Sequence, residues 1–359
     1  MNNIIDNKIS ATINNIRFPL IVMVVMLHTF IINESMLGHI YVPEGKYPHF
    51  DLTVYILKAC IGEVSIPLFF LISVFLFFVN VEFFNVGCYK NKIIKRMSTL
   101  LMPYLYWNTF FIFFIFILQL IYPDCMGEKK MIIDFTFHDW IDAYWELSNG
   151  LIPLWYVRDL MIISLLSPII FFLIKKTGFA LPVILGILYF SNELKYVPGL
   201  GTRCSFLFTL GAYFGIKKIN FFILFKRKIF LITAFYVLSI IIDASLWRKG
   251  LVFPIVNQIT LFLGVVSISS IFYILTDAFK LRLPKLWVEA SFFVLVFHMF
   301  VIYIPAKFWP LFIPVNIVTV YLMQIFIPIF ISFVCVSVYW CCKRYLPRLT
   351  SIIVGHRFN

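Results

Sequence analysis

An arginine and a histidine bracket a stretch of sequence that is otherwise continuously apolar. Ten apolar residues separate Arg17 from His28. On an α-helix eleven residues make about three turns, so both side chains share one face about 16 Å apart along the axis. Ionisable groups inside a membrane are costly and are functional candidates by default. A histidine at that depth needs a polar cavity or a partner, unless a neighbouring helix binds it for packing only.

A second histidine lies in a later apolar stretch. Ser291 and His298 are seven residues apart, close to two helical turns, and therefore share a face at a separation of about 10 Å. That separation excludes a Ser-His dyad, which requires hydrogen-bond distance. Two histidines in apolar segments favour a polar cavity inside the protein.

Charged residues also gather at the ends of apolar segments. Four cations, from Lys90 to Arg96, occur within seven residues and would bind phosphates, although retention of basic residues on the cytoplasmic side would also produce them. Arg158 and Asp159 follow an apolar and aromatic run, and Arg203 opens another apolar block. These last three are either site residues or anchors that extend to the membrane surface.

The composition identifies the elements that must position these residues. Hydrophobic residues make up 62% of the 359-residue chain and charged residues 13%, which excludes a soluble fold. The apolar blocks are continuous rather than alternating, which excludes an outer-membrane barrel. The chain is predicted to be an all-α, polytopic transmembrane helical bundle that forms one domain over residues 1–359. The ten predicted spans lie near residues 17–33, 64–84, 98–122, 153–174, 178–192, 203–216, 229–246, 252–275, 287–305 and 312–340.

The distribution of charge predicts the orientation of these spans. On the ten-span model one side carries 20 of the 30 basic residues and only four of the 17 acidic ones. The net charge is then +16 on that side and −3 on the other, together the +13 of the chain. Because basic residues stay on the cytoplasmic side, both termini are predicted to be cytoplasmic. The positive charge is scattered among loops and does not indicate nucleic-acid binding.

The outer connection over 123–152 interleaves acidic and aromatic side chains. Such a segment either binds a sugar or forms a helix that lies along the membrane interface. No cluster of histidines and cysteines has the spacing of a zinc site, so no metal is predicted.

Together these segments resemble the acyltransferase 3 family of integral membrane O-acyltransferases. The first span of that family carries a basic residue, ten intervening residues and a histidine. The resemblance covers the membrane part alone, and we expect no extracellular esterase-like domain. The matching residues, in chain order, are Arg17 and His28; Ile66–Ser73; Lys95, Arg96, Pro103 and Trp107; Leu154–Leu160; Arg203, Phe206 and Leu210–Tyr213; and Ser291–His298.

The resemblance implies an activity and a set of roles. Members move an acyl group, usually acetyl, from cytoplasmic acyl-CoA to a hydroxyl of an extracytoplasmic glycan or lipid-linked sugar, typically in the bacterial inner membrane. Lys95, Arg96 and Arg17 are then expected to bind the phosphates of coenzyme A. His28 is expected to be the general base, with Arg17 and His298 also in the catalytic set.

A second set of residues is expected to bind the acceptor or to stabilise the oxyanion. A covalent acyl intermediate on Ser73 or Ser291 stays open, although the sequence shows no activated nucleophile. The expected substrate-binding residues are Ser73, Trp155, Arg158, Asp159, Arg203 and Ser291.

Two other classes of protein remain as alternatives. A transporter or flippase for a lipid-linked saccharide would use the same charges to line a path, but its two halves would be related by an internal repeat, and none is evident. A binding or scaffold protein would leave His28 and His298 dispensable.

Overall fold

The computed structural model describes residues 7–29, 31–36, 39–81, 85–121, 130–191 and 200–356. These residues form sixteen α-helices and one antiparallel hairpin, β1 (Ser35–Met36) with β2 (His39–Ile40). The helices are α1 Asn7–Leu27, α2 Pro48–Tyr55, α3 Ser65–Phe78, α4 Val86–Arg96, α5 Met102–Ile121, α6 Phe137–Trp145, α7 Trp155–Leu165, α8 Ser167–Thr177, α9 Ala180–Ser191, α10 Thr202–Ile216, α11 Ile229–Arg248, α12 Pro254–Asp277, α13 Lys285–Val301, α14 Tyr303–Phe308, α15 Ile317–Tyr345 and α16 Pro347–Ile353.

The predicted helical membrane architecture is confirmed, whereas the count of ten spans is not. Six helical stretches of the described chain are long and apolar enough to cross a membrane, and two further pairs qualify if each bent pair is one span. The bends are 65° between α7 and α8 and 41° between α13 and the segment that follows it. The six stretches are Asn7–Leu27, Pro48–Phe78, Val86–Ile121, Lys226–Arg248, Pro254–Asp277 and Ile317–Tyr345.

The discrepancy in span number comes from two short helices. The predicted spans 178–192 and 203–216 correspond to α9 and α10, which have 12 and 15 residues. A crossing helix needs about 20 residues, so neither qualifies by length. The ten-span count and the cytoplasmic position of both termini stay predictions.

The first span is also displaced from its predicted limits of 17–33. Helix α1 begins at Asn7 and ends at Leu27, so His28 occupies the turn that closes the helix. The Thr29 hydroxyl donates to the carbonyl of Val25 at 2.9 Å, and such a bond to the backbone competes with the regular helix. The histidine therefore projects from a helix end rather than from mid-helix.

Helix α1 lies at the centre of the bundle, in contact with α3, α12, α13 and α15. A Cβ on Gly62 would lie 2.7 Å from the Leu27 side chain, so glycine allows the end of α1 to approach the turn before α3. Near the middle of α1, Asn15 donates to Thr276 Oγ1 at 2.9 Å and to the carbonyl of Leu281 at 2.7 Å. The middle and one end of α1 thus make close contacts with neighbouring segments.

The connection after α5 returns into the bundle. The backbone N–H of Ile132 donates to Gln119 at 2.9 Å, and Asn108 donates to the carbonyl of Ala143 at 2.9 Å. The eleven residues from Asn108 to Gln119 rise about 16 Å, so the chain from Ile132 to Ala143, which includes most of α6, runs back along α5 over that distance. Packing along α5, rather than only along the membrane interface, places the end of α6 inside the bundle.

A capping box begins α6. Thr136 and Asp139 exchange hydrogen bonds between side chain and backbone, and the Lys130 ammonium lies 2.6 Å from Asp139. The hydrogen bond from Lys130, followed by those from Thr136, lowers the pKa of the Asp139 carboxyl. These contacts are local and stabilise the start of the inward-directed helix.

Candidate functional site

A cavity of about 870 Å³ follows α1 through the bundle. Its lining extends from Ala11 to His28 on α1, about 25 Å at the rise of an α-helix. Further walls come from α3, α4, α7 and α13. Seven of the predicted site residues line this one cavity: Arg17, His28, Ser73, Lys95, Arg96, Trp155 and Ser291.

The face of α1 that borders the cavity has the predicted stripe. Arg17, Ile21, Val24 and His28 all line it, and their spacings of four, three and four residues are those of one helix face. Arg17 and His28 are both half-buried. The two polar groups therefore lie on one wall, with apolar side chains between them.

One end of the cavity is strongly basic. This cationic end consists of Arg17, Lys92, Lys95, Arg96, Arg282 and Lys285. Among the described residues no carboxylate lies within ion-pair distance of Arg17, Lys95 or Arg96. Glu289 also borders the cavity, but Lys343 lies 2.5 Å from it and Lys285 3.7 Å. The excess positive charge of the cationic end is suited to an anionic ligand.

Ser73 has a defined structural partner. The Arg96 guanidinium donates to Ser73 Oγ at 3.2 Å and to the Ser73 carbonyl at 3.3 Å. It also lies over the Phe77 ring, 5.2 Å from the centroid. These contacts hold Arg96 against α3, so Ser73 positions a cation at the cavity wall.

Ser291 is similarly committed to the backbone, because its hydroxyl donates to the carbonyl of Trp287 at 3.0 Å. No described base lies within hydrogen-bond distance of either serine hydroxyl. The geometry therefore offers no activated serine nucleophile.

The two histidines are neighbours. The rings of His28 and His298 are 5.3 Å apart between centroids and inclined at 42°. His298 is fully buried and does not line the cavity; its Nδ1 lies 3.0 Å from the Val294 carbonyl. A carbonyl only accepts, so a neutral His298 carries its proton on Nδ1. Its Nε2 has no hydrogen-bond partner among the described residues.

The remaining predicted residues lie outside this cavity and form ion pairs. Arg158 donates to Asp159 at 2.9 and 2.7 Å and to the Trp145 carbonyl, and both members of the pair are buried. Asp159 also accepts from the Cys204 thiol at 3.5 Å. Arg203 pairs with Glu63 at 3.3 Å. The predicted substrate-binding set is thus divided between the cavity wall and two ion pairs, of which the pair of Arg158 and Asp159 is buried and that of Arg203 and Glu63 is partly exposed.

Sequence reasoning missed part of the cationic end. Arg282 and Lys285 counted only as cytoplasmic charges, and no pattern along the chain relates them to Lys95. The segment after the last helix also borders the site, since Gly355 and His356 line the cavity, and Trp107 donates to the carbonyl of Ile353, the last residue of α16, at 2.8 Å. The described residues contain no group of three or more side chains able to hold a metal ion.

Comparisons with known proteins confirm the resemblance to the acyltransferase 3 family. The family model described as an acyltransferase domain, acyltransferase 3, matches residues 10–342. The chain is also similar to the succinoglycan biosynthesis protein ExoH of Rhizobium meliloti (strain 1021), with 24% identity over 260 residues. The alignment covers 70% of this chain and 66% of that relative, just under two thirds of its length. No solved structure matches.

Proposed function

The chain belongs to the acyltransferase 3 family, whose domain model covers residues 10–342, and from this premise we propose that it is a membrane O-acyltransferase. Its donor is cytoplasmic acyl-CoA, acetyl-CoA in the first instance. Its acceptor is a hydroxyl of an extracytoplasmic glycan or lipid-linked sugar, and its location is the bacterial inner membrane. The relative named for succinoglycan biosynthesis, a polysaccharide pathway, supports a polysaccharide acceptor.

The observation that carries the proposal is the polarity of the main cavity. Its cationic end and His28 lie on one continuous lining, separated by about 16 Å of apolar wall along α1. Coenzyme A has the matching distribution: phosphates at one end, an extended arm, and the thioester at the other end. In this arrangement Arg17, Lys95 and Arg96 bind the phosphates and the thioester lies near His28.

The reaction at the histidine end needs one base and no covalent enzyme intermediate. The His28 imidazole takes the proton of the acceptor hydroxyl while its oxygen attacks the thioester carbonyl carbon. The tetrahedral intermediate collapses, the carbon–sulfur bond breaks, and the thiolate of coenzyme A takes the proton from His28. The ester is the product and the imidazole is regenerated neutral.

His298 acts in this scheme through His28. It is buried behind the His28 ring at a centroid distance of 5.3 Å and is fixed by the Val294 carbonyl. The fixed ring of His298 limits the orientations of the His28 ring. In other enzymes a third group orients the catalytic base in the same way. We assign His298 as a positioning residue.

The decisive experiment uses purified protein in proteoliposomes with isotopically labelled acetyl-CoA on the cytoplasmic face. Release of free CoA is expected to fall about 100-fold or more in His28→Ala, within the usual contribution of a general base. His138→Ala is the matched control, because that side chain is 83% exposed and lies outside the cavity. Full turnover by a His28→Ala protein present at the wild-type level would overturn the proposal.

A further inference from the structure

A second, smaller cavity lies between the end of α6 and the start of α7. Its volume is about 460 Å³. Glu146 and Ser148 are exposed in it, whereas Arg158 is buried at its wall. Its lining residues are Glu146, Leu147, Ser148, Ile152, Trp155 and Arg158.

One short segment forms the wall between the two cavities. Pro153, Tyr156 and Val157 line the main cavity, whereas Ile152 and Arg158 line the smaller one. Trp155 lines both. A helix with its side chains is about 10 to 12 Å across, so only this segment of about two turns, and at one point the single indole of Trp155, separates the two spaces.

We propose that the smaller cavity is the subsite for the acceptor sugar and that Trp155 is the partition through which the acceptor hydroxyl reaches the donor. The inference rests on the proposed acyltransferase function and adds the location of the acceptor. An indole face packs against the C–H groups of a sugar ring, while the Glu146 carboxylate and the Ser148 hydroxyl bind its hydroxyl groups. A mostly apolar pocket with a few polar groups is the usual form of a small-molecule site.

The ion pair beneath the pocket keeps this wall in place. Arg158 is bound by Asp159 and by the Trp145 carbonyl, and its guanidinium lies 5.9 Å from the centroid of the Trp145 ring. The pair ties the end of α6 to the start of α7. Glu146 and Ser148, which immediately follow α6, are thereby held opposite Trp155.

The course of α6 gives the pocket its access. Because the chain from Ile132 to Ala143 runs along α5 from Gln119 to Asn108, the segment after Trp145 lies about 16 Å along α5 from Gln119, although it belongs to a connection predicted to be extracytoplasmic. On that topology the smaller cavity is reached from outside and the main cavity from the cytoplasm. The acceptor would then enter, through the wall that the two cavities share, the main cavity that His28 also lines.

The first test measures occupancy of the pocket directly. Ser148→Cys is labelled from outside with a membrane-impermeant maleimide, with methyl glycosides of glucose, galactose and mannose as competing probes and the wild-type chain as the background for its native cysteines. At least one glycoside is expected to slow labelling about threefold or more, and Asp134→Cys, exposed on the same connection but outside the pocket, is expected to show no protection. No labelling from outside, or no protection by any of the three, overturns the proposal.

The second test asks whether Trp155 separates the two spaces. Trp155→Ala is expected to raise acetyl-CoA hydrolysis without acceptor several-fold, because water gains access to the thioester, and to lower transfer to a methyl glycoside about tenfold. Trp155→Phe retains an aromatic ring, so its rates of hydrolysis and transfer should lie between those of the wild type and Trp155→Ala. Unchanged or reduced hydrolysis in both variants would show that Trp155 does not act as a partition.

A third variant separates acceptor binding from donor binding. Glu146→Gln is expected to raise the KM for the methyl glycoside about tenfold, the size of a lost hydrogen bond to a charged group, with a much smaller change in the KM for acetyl-CoA. Asp134→Asn is the matched carboxylate control. If wild-type protein releases no more CoA than His28→Ala, the proposed function itself fails. If it does release more, but Glu146→Gln leaves the KM for the methyl glycoside unchanged, only the proposed acceptor site fails.

Discussion

The arginines at the two cavities that meet at Trp155 differ in whether a carboxylate pairs with them. In the main cavity Arg17, Lys95 and Arg96 have no carboxylate within ion-pair distance among the described residues. At the smaller cavity the buried guanidinium of Arg158 is matched by Asp159 at 2.7 Å. An arginine in an apolar segment can therefore either bind a ligand or support the structure, and the presence of a carboxylate partner distinguishes the two roles.

Physical chemistry explains the difference. The cations of the cationic end are half-buried or exposed in the cavity, so water or an anionic ligand can reach them, whereas the Arg158 guanidinium is buried and needs its carboxylate. A matched pair needs no ligand and instead fixes the elements that carry it. The comparison supports the proposed binding role of the cationic end and a structural role for the pair of Arg158 and Asp159.

The largest effect is expected from breaking the matched pair. Asp159→Ala leaves Arg158 buried without its carboxylate, which should cost about 3 to 5 kcal/mol of stability. Thermal unfolding in detergent measures this cost. The double variant Arg158→Leu with Asp159→Leu removes both charges and should recover much of the loss; no recovery would show that the pair is not the cause.

A substitution at the cationic end is expected to have a large effect on activity and little effect on stability. Arg17→Ala should lower kcat/KM for acetyl-CoA about 100-fold, as expected for truncating one partner of a close charge pair. Arg248→Ala is the control, since that residue is exposed at the end of α11. An Arg17→Ala protein that unfolds early but keeps its activity would reverse the comparison.

A smaller effect is expected where a side chain positions a cation. Ser73→Ala removes one acceptor of Arg96 and should raise the KM for acetyl-CoA by about three- to tenfold. Ser245→Ala, on the exposed side of α11, serves as the control. Complete loss of turnover in Ser73→Ala would instead identify a serine nucleophile.

The smallest effect is expected at a matched pair that is not buried. Arg203 and Glu63 keep 31% and 37% of their side chains exposed, and such pairs contribute about 0 to 1 kcal/mol. Unfolding of Arg203→Gln should therefore begin within a few degrees of the wild type. A strong loss of acyl transfer in this variant would return Arg203 to the acceptor site.

Much of the membrane architecture is readable along the chain, because apolar blocks and their length report directly on burial in lipid. The stripe of Arg17 and His28 is also a local property, since helical spacing alone places both residues on one face. The span limits were less accurate: α1 ends at Leu27 rather than near residue 33, because local hydrogen bonds and not hydropathy end the helix.

Composition and residue spacing are enough to establish a helical membrane bundle and to identify the residues in it that carry unusual charges. Which of those charges face a common space depends on the packing of separate helices. Arg282 and Lys285 join Lys95 at the cationic end, while Arg158 turns to Asp159 and Arg203 to Glu63. The physical reason is that helical periodicity relates residues within one element, whereas ion pairs and cavity walls depend on how separate helices pack.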